Sequence, residues 1–123
     1  MMGSVLIADD DAEMRELLRF NLEKSYDVTT VTDGEECWNY LNAHADDPPD
    51  LVVLDVMMPG LDGYRVLDRV SEDDRFKGVD IIMLTSRGRD DDIVRALESG
   101  AADYLTKPFS SSELIIRIKG ILS

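Results

Sequence analysis

The sequence predicts an α/β protein with five βα units, a (βα)5 doubly wound arrangement around a five-stranded parallel sheet. Five short apolar runs alternate with segments whose apolar residues recur at helical spacing. Several runs are almost continuously apolar, as strands covered on both faces should be. Strict alternation of strand and helix predicts a parallel sheet with helices on both sides, for which we expect the strand order 2-1-3-4-5.

The strands are predicted from the apolar runs, which lie at residues 5–8, 28–31, 51–54, 81–84 and 104–105. Polar or turn-forming residues bound each run, so each is short enough for a strand and too short for a buried helix. The segment "DDPPD" at residues 46–50 predicts a turn before the third strand, because its two prolines cannot continue a helix.

The first two helices are predicted from a capping residue followed by an apolar stripe. Asp11 is expected to cap the first helix rather than to bind a metal, and Asp33 to cap the second, with Glu36 three residues later. The stripe residues are Met14, Leu17, Leu18 and Leu22, then Cys37 and Leu41. The single cysteine therefore lies on an apolar helix side, where we expect a small buried side chain and not a nucleophile.

The last three helices follow the third, fourth and fifth strands. Gly100 is the expected end of the fourth helix. The segment "SSSE" predicts a capping box for the fifth, with Ser110 as N-cap and Glu113 as its reciprocal partner. The apolar sides of these three helices are predicted at Val66, Leu67 and Val70, at Ile93 and Leu97, and at Leu114, Ile115, Ile118 and Leu122.

The composition narrows the class of protein. The 123 residues include 26 acidic and 13 basic side chains, a net charge of −13 that argues against direct binding of nucleic acid. The acidic surface is open to two interpretations, solubility or adaptation to a high-salt cytoplasm. No apolar run approaches the roughly 20 residues that span a bilayer, and the amino-terminal segment lacks the pattern of a signal peptide. We therefore expect a cytoplasmic protein with no membrane contact.

Polar residues stand at the carboxyl ends of four predicted strands, where sites form in open α/β sheets. The first strand ends in Asp9 and Asp10, the third in Asp55, the fourth in Thr85, and Lys107 follows the fifth. Clustered carboxylates form a site for Mg²⁺, which prefers oxygen ligands and offsets their repulsion. Carboxylates, Mg²⁺ and a lysine also make an arrangement for phosphoryl transfer, with Asp55 as the natural nucleophile.

Four segments carry a resemblance to a known family: "VLIADDDAEMRELL", "PDLVVLDVMMPGLDGYRVL", "IIMLTSRG" and "ALESGAADYLTKPFSSSEL". They closely resemble receiver domains of two-component response regulators, which have the CheY-like, flavodoxin-like fold. The resemblance runs from about Val5 to Leu122, so we expect residues 1–123 to form a single receiver domain. The carboxyl-terminal part is most similar to receivers of the OmpR/PhoB type.

The resemblance implies a role for each strand-end residue. Asp55 is the implied phosphoacceptor, and Asp10, Asp55 and the backbone carbonyl of Met57 are the implied Mg²⁺ ligands, with Asp9 acting through water. Lys107 is expected to contact the phosphoryl group and to pair with Asp55 before phosphorylation, next to a cis peptide bond at Lys107–Pro108. Met57 and Arg87 occupy positions that tune phosphate lifetime in such domains.

The resemblance also implies a switch and its partners. Thr85 is expected to reorient toward the phosphoryl group, and Tyr104 to swing inward behind it. The surface of the fourth helix, fifth strand and fifth helix then changes and controls a partner or output domain. A sensor histidine kinase is the implied phosphoryl donor.

The oligomeric state stays open. In OmpR/PhoB-type receivers this surface forms a homodimer through paired charges, a scheme that Asp103, Glu113 and Arg117 fit. Ile93 and Ala102 depart from it, so the family's dimer, another pairing and a monomer are all alternatives.

Two other functions are weighed against a signalling switch. A Mg²⁺-dependent phosphatase using an aspartyl-phosphate, of the haloacid-dehalogenase type, would normally carry a second Asp two residues after the nucleophile. Met57 occupies that position. A receiver-like interaction module that never takes phosphate is disfavoured by the complete set of strand-end residues. The chain is either a free-standing receiver or a piece of a longer regulator.

Overall fold

A computed structural model describes residues 3–85 and 90–123, and the side chains of residues 90–92 lie outside this description. The strands are β1 (Ser4–Ala8), β2 (Asp27–Val31), β3 (Leu51–Asp55), β4 (Asp80–Thr85) and β5 (Asp103–Thr106). The helices are α1 (Ala12–Leu22), α2 (Gly34–Ala43), α3 (Gly63–Ser71), α4 (Asp90–Glu98) and α5 (Ser111–Leu122), with a short 3₁₀ turn at Asp74–Phe76.

The five strands form one parallel sheet in the order β2-β1-β3-β4-β5. The predicted fold class and strand order are therefore confirmed. The central strand β3 is buried along its whole length, whereas the edge strand β2 is half-buried. The continuous apolar run at β3 thus reflects cover on both faces of the sheet.

Two apolar cores lie on opposite faces of the sheet. One core packs α2, α3 and α4 against the sheet and includes Leu41, Leu67 and Ala96. The other packs α1 and α5 and includes Leu18 and Ile118. Burying these side chains from both faces holds the strand ends in register, which fixes the edge where the polar residues converge.

The predicted N-caps are confirmed. The Asp11 carboxylate accepts from the backbone amides of Glu13 and Met14, and Asp33 accepts from that of Glu36 at 2.8 Å. Ser110 accepts from the backbone amide of Glu113 at 3.0 Å. Each bond satisfies an amide that the first helical turn leaves unpaired.

The prediction that Glu113 is the reciprocal partner in the capping box at Ser110 is wrong. The Glu113 carboxylate accepts from Arg117 at 3.2 Å, one turn along α5, because a charged guanidinium is a stronger donor than a backbone amide. The Glu36 carboxylate likewise turns to Thr32, the residue before the cap.

For two apolar residues, the predicted place on the buried side of a helix is wrong. Leu17 is 43% exposed, because Leu18 and Leu22 define the buried side of α1 and Leu17 lies at its edge. On α4, Leu97 is 48% exposed and Ala96 is the buried residue. The end of α4 is confirmed at Gly100, whose φ of +105° lies in the left-handed region that favours glycine.

No helix in the part of the chain that the structure describes is both long and apolar enough to cross a membrane. Cys37 is fully buried on α2, as its apolar surroundings predicted.

Candidate functional site

The acid pair after β1 points its two side chains into different surroundings. Asp9 is fully buried and Asp10 is exposed. The backbone amide of Asp11 donates to Asp9 Oδ1 at 2.9 Å, and the Arg15 guanidinium donates to the Asp9 backbone carbonyl at 2.7 Å. These contacts from the start of α1 hold the buried carboxylate at the strand end.

Asp55 closes β3 at the same edge and is 2% exposed. The backbone amide of Met57 donates to Asp55 Oδ1 at 3.2 Å, which places the Met57 backbone beside the carboxylate. Gly63, the first residue of α3, packs directly beneath this segment. A Cβ at residue 63 would lie 2.6 Å from the Asp55 backbone oxygen, so only glycine lets α3 approach this closely.

The three carboxylates form one cluster. Asp9, Asp10 and Asp55 each offer an oxygen, and these oxygens lie within 4.8 Å of one another. Asp9 Oδ2 is buried and has no hydrogen-bond partner among the described residues. A buried, unpaired carboxylate oxygen beside two further carboxylates is costly unless a cation offsets it. The donor set is made of hard oxygens and fits a divalent cation such as Mg²⁺.

Lys107 and Thr85 complete the strand-end group. The Lys107 ammonium lies 3.5 Å from Asp55 Oδ2. The Lys107 backbone amide donates to the Thr85 carbonyl at 2.6 Å, which ties the end of β5 to the end of β4. Thr85 is fully buried, and the Lys107–Pro108 peptide bond is cis, as the resemblance implied.

The electrostatic balance around Asp55 disfavours its charged form. Burial first, and the nearby Asp9 carboxylate second, raise the pKa of Asp55 to about 6. The Lys107 ammonium and the hydrogen bond from Met57 oppose this rise without cancelling it. A second positive charge beside Asp55 would lower this pKa, because an opposite charge favours the carboxylate form.

A cleft of about 490 Å³ opens beside the acid cluster. It lies between Asp10 and the loop that joins β3 to α3, with Met57 and Met58 on that loop. Of the three clustered carboxylates, Asp10 lines this cleft, so the cluster borders a space that is open to solvent.

Tyr104 lies on β5 and is half-buried. Its hydroxyl is 3.3 Å from the hydroxyl of Tyr64, which is 8% exposed at the start of α3. The local sequence pattern does not mark the contacts of Tyr64 and Arg15, because their partners lie in other elements. Arg87, the second predicted tuning position, lies outside the described residues.

The surface of α4, β5 and α5 combines apolar and charged groups. Arg117 donates to the Asp103 carboxylate at 2.8 and 2.9 Å and to Glu113 at 3.2 Å, so these charges pair within the chain. Ile116 on α5 and Val94 on α4 are 70% and 50% exposed.

Comparison with known proteins assigns the family. The family model described as "Response regulator receiver domain" matches residues 5–119. The phosphate regulon regulatory protein PhoB of Escherichia coli is 38% identical over 124 residues, and PhoP of Bacillus subtilis, an alkaline phosphatase synthesis regulator, is 44% identical over 123. Each match covers 99% of this chain but 52% and 49% of those proteins. The chain thus spans about half the length of these curated relatives.

Solved structures agree with this assignment. The receiver domain of Francisella response regulator 1452 has a TM-score of 0.86 and 34% identity, covering 97% of this chain and 95% of that one. A BeF3-activated DrrB receiver domain has a TM-score of 0.83 and 32% identity, covering 99% and 98%. Since the matched family spans nearly the whole chain and the strand order is the same as in these folds, the protein belongs to the receiver-domain family of two-component response regulators.

Proposed function

We propose that residues 1–123 form a single receiver domain that acts as a phosphorylation-dependent signalling switch, with Asp55 as the phosphoacceptor. One observation carries this proposal: three carboxylates within 4.8 Å of one another have an ammonium 3.5 Å from Asp55. Catalysis of phosphoryl transfer depends on positive charge that neutralises the transferring group. This arrangement supplies a lysine beside Asp55 and a cluster of carboxylates that could hold a cation.

We assign the Mg²⁺ ligands to Asp10, Asp55 and the backbone carbonyl of Met57, with Asp9 acting through water. The unpaired Asp9 Oδ2 and the hard-oxygen donor set support this assignment. When bound, Mg²⁺ neutralises charge on the phosphoryl oxygens. The chain's own residues hold the acceptor: burial fixes Asp55, and the Met57 amide orients one of its oxygens.

The proposed reaction moves a phosphoryl group from a histidine of a sensor kinase to Asp55. An Asp55 oxygen attacks phosphorus, the phosphorus–nitrogen bond breaks, and its electron pair returns to the imidazole. Lys107, which pairs with Asp55 before the reaction, then contacts a phosphoryl oxygen. The chain promotes its own phosphorylation and its slow loss, and is not an enzyme that turns over a separate substrate.

The proposed switch begins with the charge that phosphorylation adds, roughly −1.5 to −2 at neutral pH. Thr85, buried at the end of β4, reorients to bond the phosphoryl group, and Tyr104 moves inward behind it. The surface formed by α4, β5 and α5 changes in response, which alters the affinity for a downstream effector or output domain.

The proposed location of the chain is the cytoplasm, where the sensor kinase presents its phosphohistidine. We propose that the chain itself does not bind nucleic acid or membrane. The net charge of −13 supports the first of these absences. A homodimer through α4, β5 and α5 is one alternative and a monomer another. Sedimentation with and without beryllofluoride distinguishes them: a mass that doubles on loading supports the dimer, and an unchanged mass supports the monomer.

The decisive experiment labels the chain with a phosphoryl donor and compares Asp55→Asn with Asp80→Asn. Asp80 is an exposed carboxylate at the other end of the sheet, so its removal changes net charge equally without touching the cluster. We expect about one equivalent of acid-stable, base-labile label on the wild type and on Asp80→Asn, and none on Asp55→Asn or in the presence of EDTA.

Two results would overturn the proposal. Full labelling of Asp55→Asn would place the phosphoacceptor elsewhere. Release of many equivalents of product from p-nitrophenyl phosphate would instead favour the phosphatase, which turns over a substrate rather than modifying itself once.

A further inference from the structure

The contact between Tyr64 and Tyr104 defines where the Tyr104 ring lies. Tyr104 is on β5 and pairs with Met83 of β4, whereas Tyr64 follows β3 at the start of α3. Because β4 lies between β5 and β3, two phenols from these elements can meet only above β4. That face of the sheet is the one covered by α4 through Ala96. The 3.3 Å separation of the hydroxyls therefore places the Tyr104 ring inward, over the sheet.

Tyr64 is itself held in place from two helices. Its side chain is 8% exposed, and the Arg95 guanidinium of α4 lies 4.6 Å from the centre of its ring. Arg95 also lies 4.0 Å from Asp68, one turn after Tyr64 on α3. The Arg95 guanidinium is attracted to the face of the Tyr64 ring and is also paired with Asp68 on the helix that carries this ring. The Tyr64 ring therefore has contacts from both α3 and α4 on the side of the sheet where it meets Tyr104.

We propose that Tyr64 is a positioning residue for Tyr104, and that its hydroxyl favours the inward Tyr104 ring. This inference rests on the proposed function, in which inward Tyr104 belongs to the phosphorylated conformation. A group that bonds only one of two conformations shifts the population toward it by the free energy of that bond. Tyr64 would therefore lower the cost of the conformational change that phosphorylation must drive.

The first test measures beryllofluoride binding to the whole chain by calorimetry in saturating Mg²⁺. Tyr64→Phe removes the hydroxyl but keeps the ring under Arg95. We expect beryllofluoride to bind Tyr64→Phe about two- to tenfold more weakly, the range that one neutral hydrogen bond accounts for. Affinity for Mg²⁺ alone should not change, because Tyr64→Phe keeps all three carboxylates of the cluster. In a Tyr104→Phe background, Tyr64→Phe should have no further effect.

Tyr26→Phe is the matched control. Tyr26 packs against the opposite core, formed with α1 and α5, and is remote from Tyr104. It should bind beryllofluoride as the wild type does. A merely structural role for Tyr64 predicts a different result, in which Tyr64→Phe weakens binding equally whether or not the Tyr104 hydroxyl is present.

The second test reads the contact without phosphorylation. The chain has four tyrosines, so 3-fluorotyrosine labelling gives four fluorine signals that single Tyr→Phe variants assign. We expect Tyr64→Phe to shift the Tyr104 signal toward that of an exposed ring, and Tyr26→Phe to leave it unchanged. An unmoved Tyr104 signal in Tyr64→Phe would overturn the proposed positioning.

The two tests separate failure of this inference from failure of the proposed function. If the wild type and Tyr64→Phe bind beryllofluoride equally tightly, the proposed switch stands and the proposed role of Tyr64 is overturned. A wild type that binds no beryllofluoride at all overturns the proposed function, and with it the link between Tyr64 and phosphorylation, even where the fluorine signals show the contact.

Discussion

The ammonium nitrogen of Lys107 lies 3.5 Å from Oδ2 of Asp55, across the ends of β5 and β3. The Asp55 side chain is 3% exposed and that of Lys107 29%, so this pair is poorly screened by solvent. Lys107 is the only basic side chain that the described part of the chain places in an ion pair with the acid cluster.

Replacing Lys107 tests its proposed role in phosphoryl transfer. We expect Lys107→Ala to lower the initial rate of Asp55 labelling by about tenfold or more, because one preorganised donor to the reacting oxygens is lost. The Mg²⁺ affinity, measured by calorimetry, should be retained or increased, since a competing cation is removed. A labelling rate equal to that of the wild type would exclude contact between Lys107 and the phosphoryl group.

Removing the Asp55 charge should stabilise the metal-free chain. At pH 7 the buried Asp55 carboxylate faces Asp9, and Asp55→Asn relieves both the desolvation and the repulsion. We expect the free energy of unfolding in urea with EDTA to rise by about 1–2 kcal/mol. Saturating Mg²⁺ should narrow this difference, because the ion stabilises the wild type by binding its folded state.

The same comparison has a defined pH dependence. The folded chain keeps the Asp55 proton up to a pH of about 6, whereas an unfolded Asp loses it near its ordinary value of 3.8. The unfolded state therefore binds fewer protons between these values, and stability falls as the pH rises through that window. In EDTA, the wild type should lose stability relative to Asp55→Asn from about pH 4 to pH 6. A difference that is constant across this window would contradict the raised pKa.

Gly63 tests the close approach of α3 to the phosphoacceptor. The Cβ of Gly63→Ala would lie 2.6 Å from the Asp55 backbone oxygen and 2.8 Å from the Cα of Val56. Because the backbone must move, we expect a loss of about 1–3 kcal/mol in urea unfolding, and weaker binding of Mg²⁺. Gly120 on α5 is the control, since a Cβ there meets no atom within 4 Å. Gly120→Ala should be neutral or stabilising by up to about 1 kcal/mol, through its helix propensity.

Cys37 should be unreactive in the folded chain. Burial on α2 raises the pKa of the Cys37 thiol to about 12, so the nucleophilic thiolate is scarce at pH 8. We expect slow reaction with a thiol reagent such as dithionitrobenzoate in buffer and rapid reaction in urea. Because the folded-state pKa lies above the ordinary value of 9, this thiol's contribution to stability is lost as the pH rises above about 9. Rapid labelling of the folded chain at pH 8 would contradict the burial.

Features that depend on a few neighbouring residues could be predicted from the sequence. The caps at Asp11, Asp33 and Ser110 are of this kind, because an N-cap bonds an amide only two or three residues away. The convergence of Asp9, Asp10 and Asp55 could also be predicted, although these residues are distant along the chain. Parallel strands bring their carboxyl ends to one edge, so the alternating pattern alone places them together.

Features that depend on a choice between competing partners could not be predicted in this way. The Glu113 carboxylate had both a backbone amide and the Arg117 guanidinium within reach, and the pairing of Arg117 with Asp103 favours the second. The exposure of Leu17 depends on how α1 is rotated against the sheet, which the packing of Leu18 and Leu22 decides.

The sequence by itself determined the alternation of strands and helices, the starts of α1, α2 and α5, and the group of residues at the strand ends. Periodicity and capping are local, and parallel strands then bring their carboxyl ends to one edge. Only the tertiary structure decided how closely Gly63 approaches Asp55, that one oxygen of Asp9 is buried without a partner among the described residues, and that Tyr64 meets Tyr104 above β4. These relationships depend on how closely elements far apart in the chain approach one another, and that approach follows from side-chain packing rather than from the local sequence pattern.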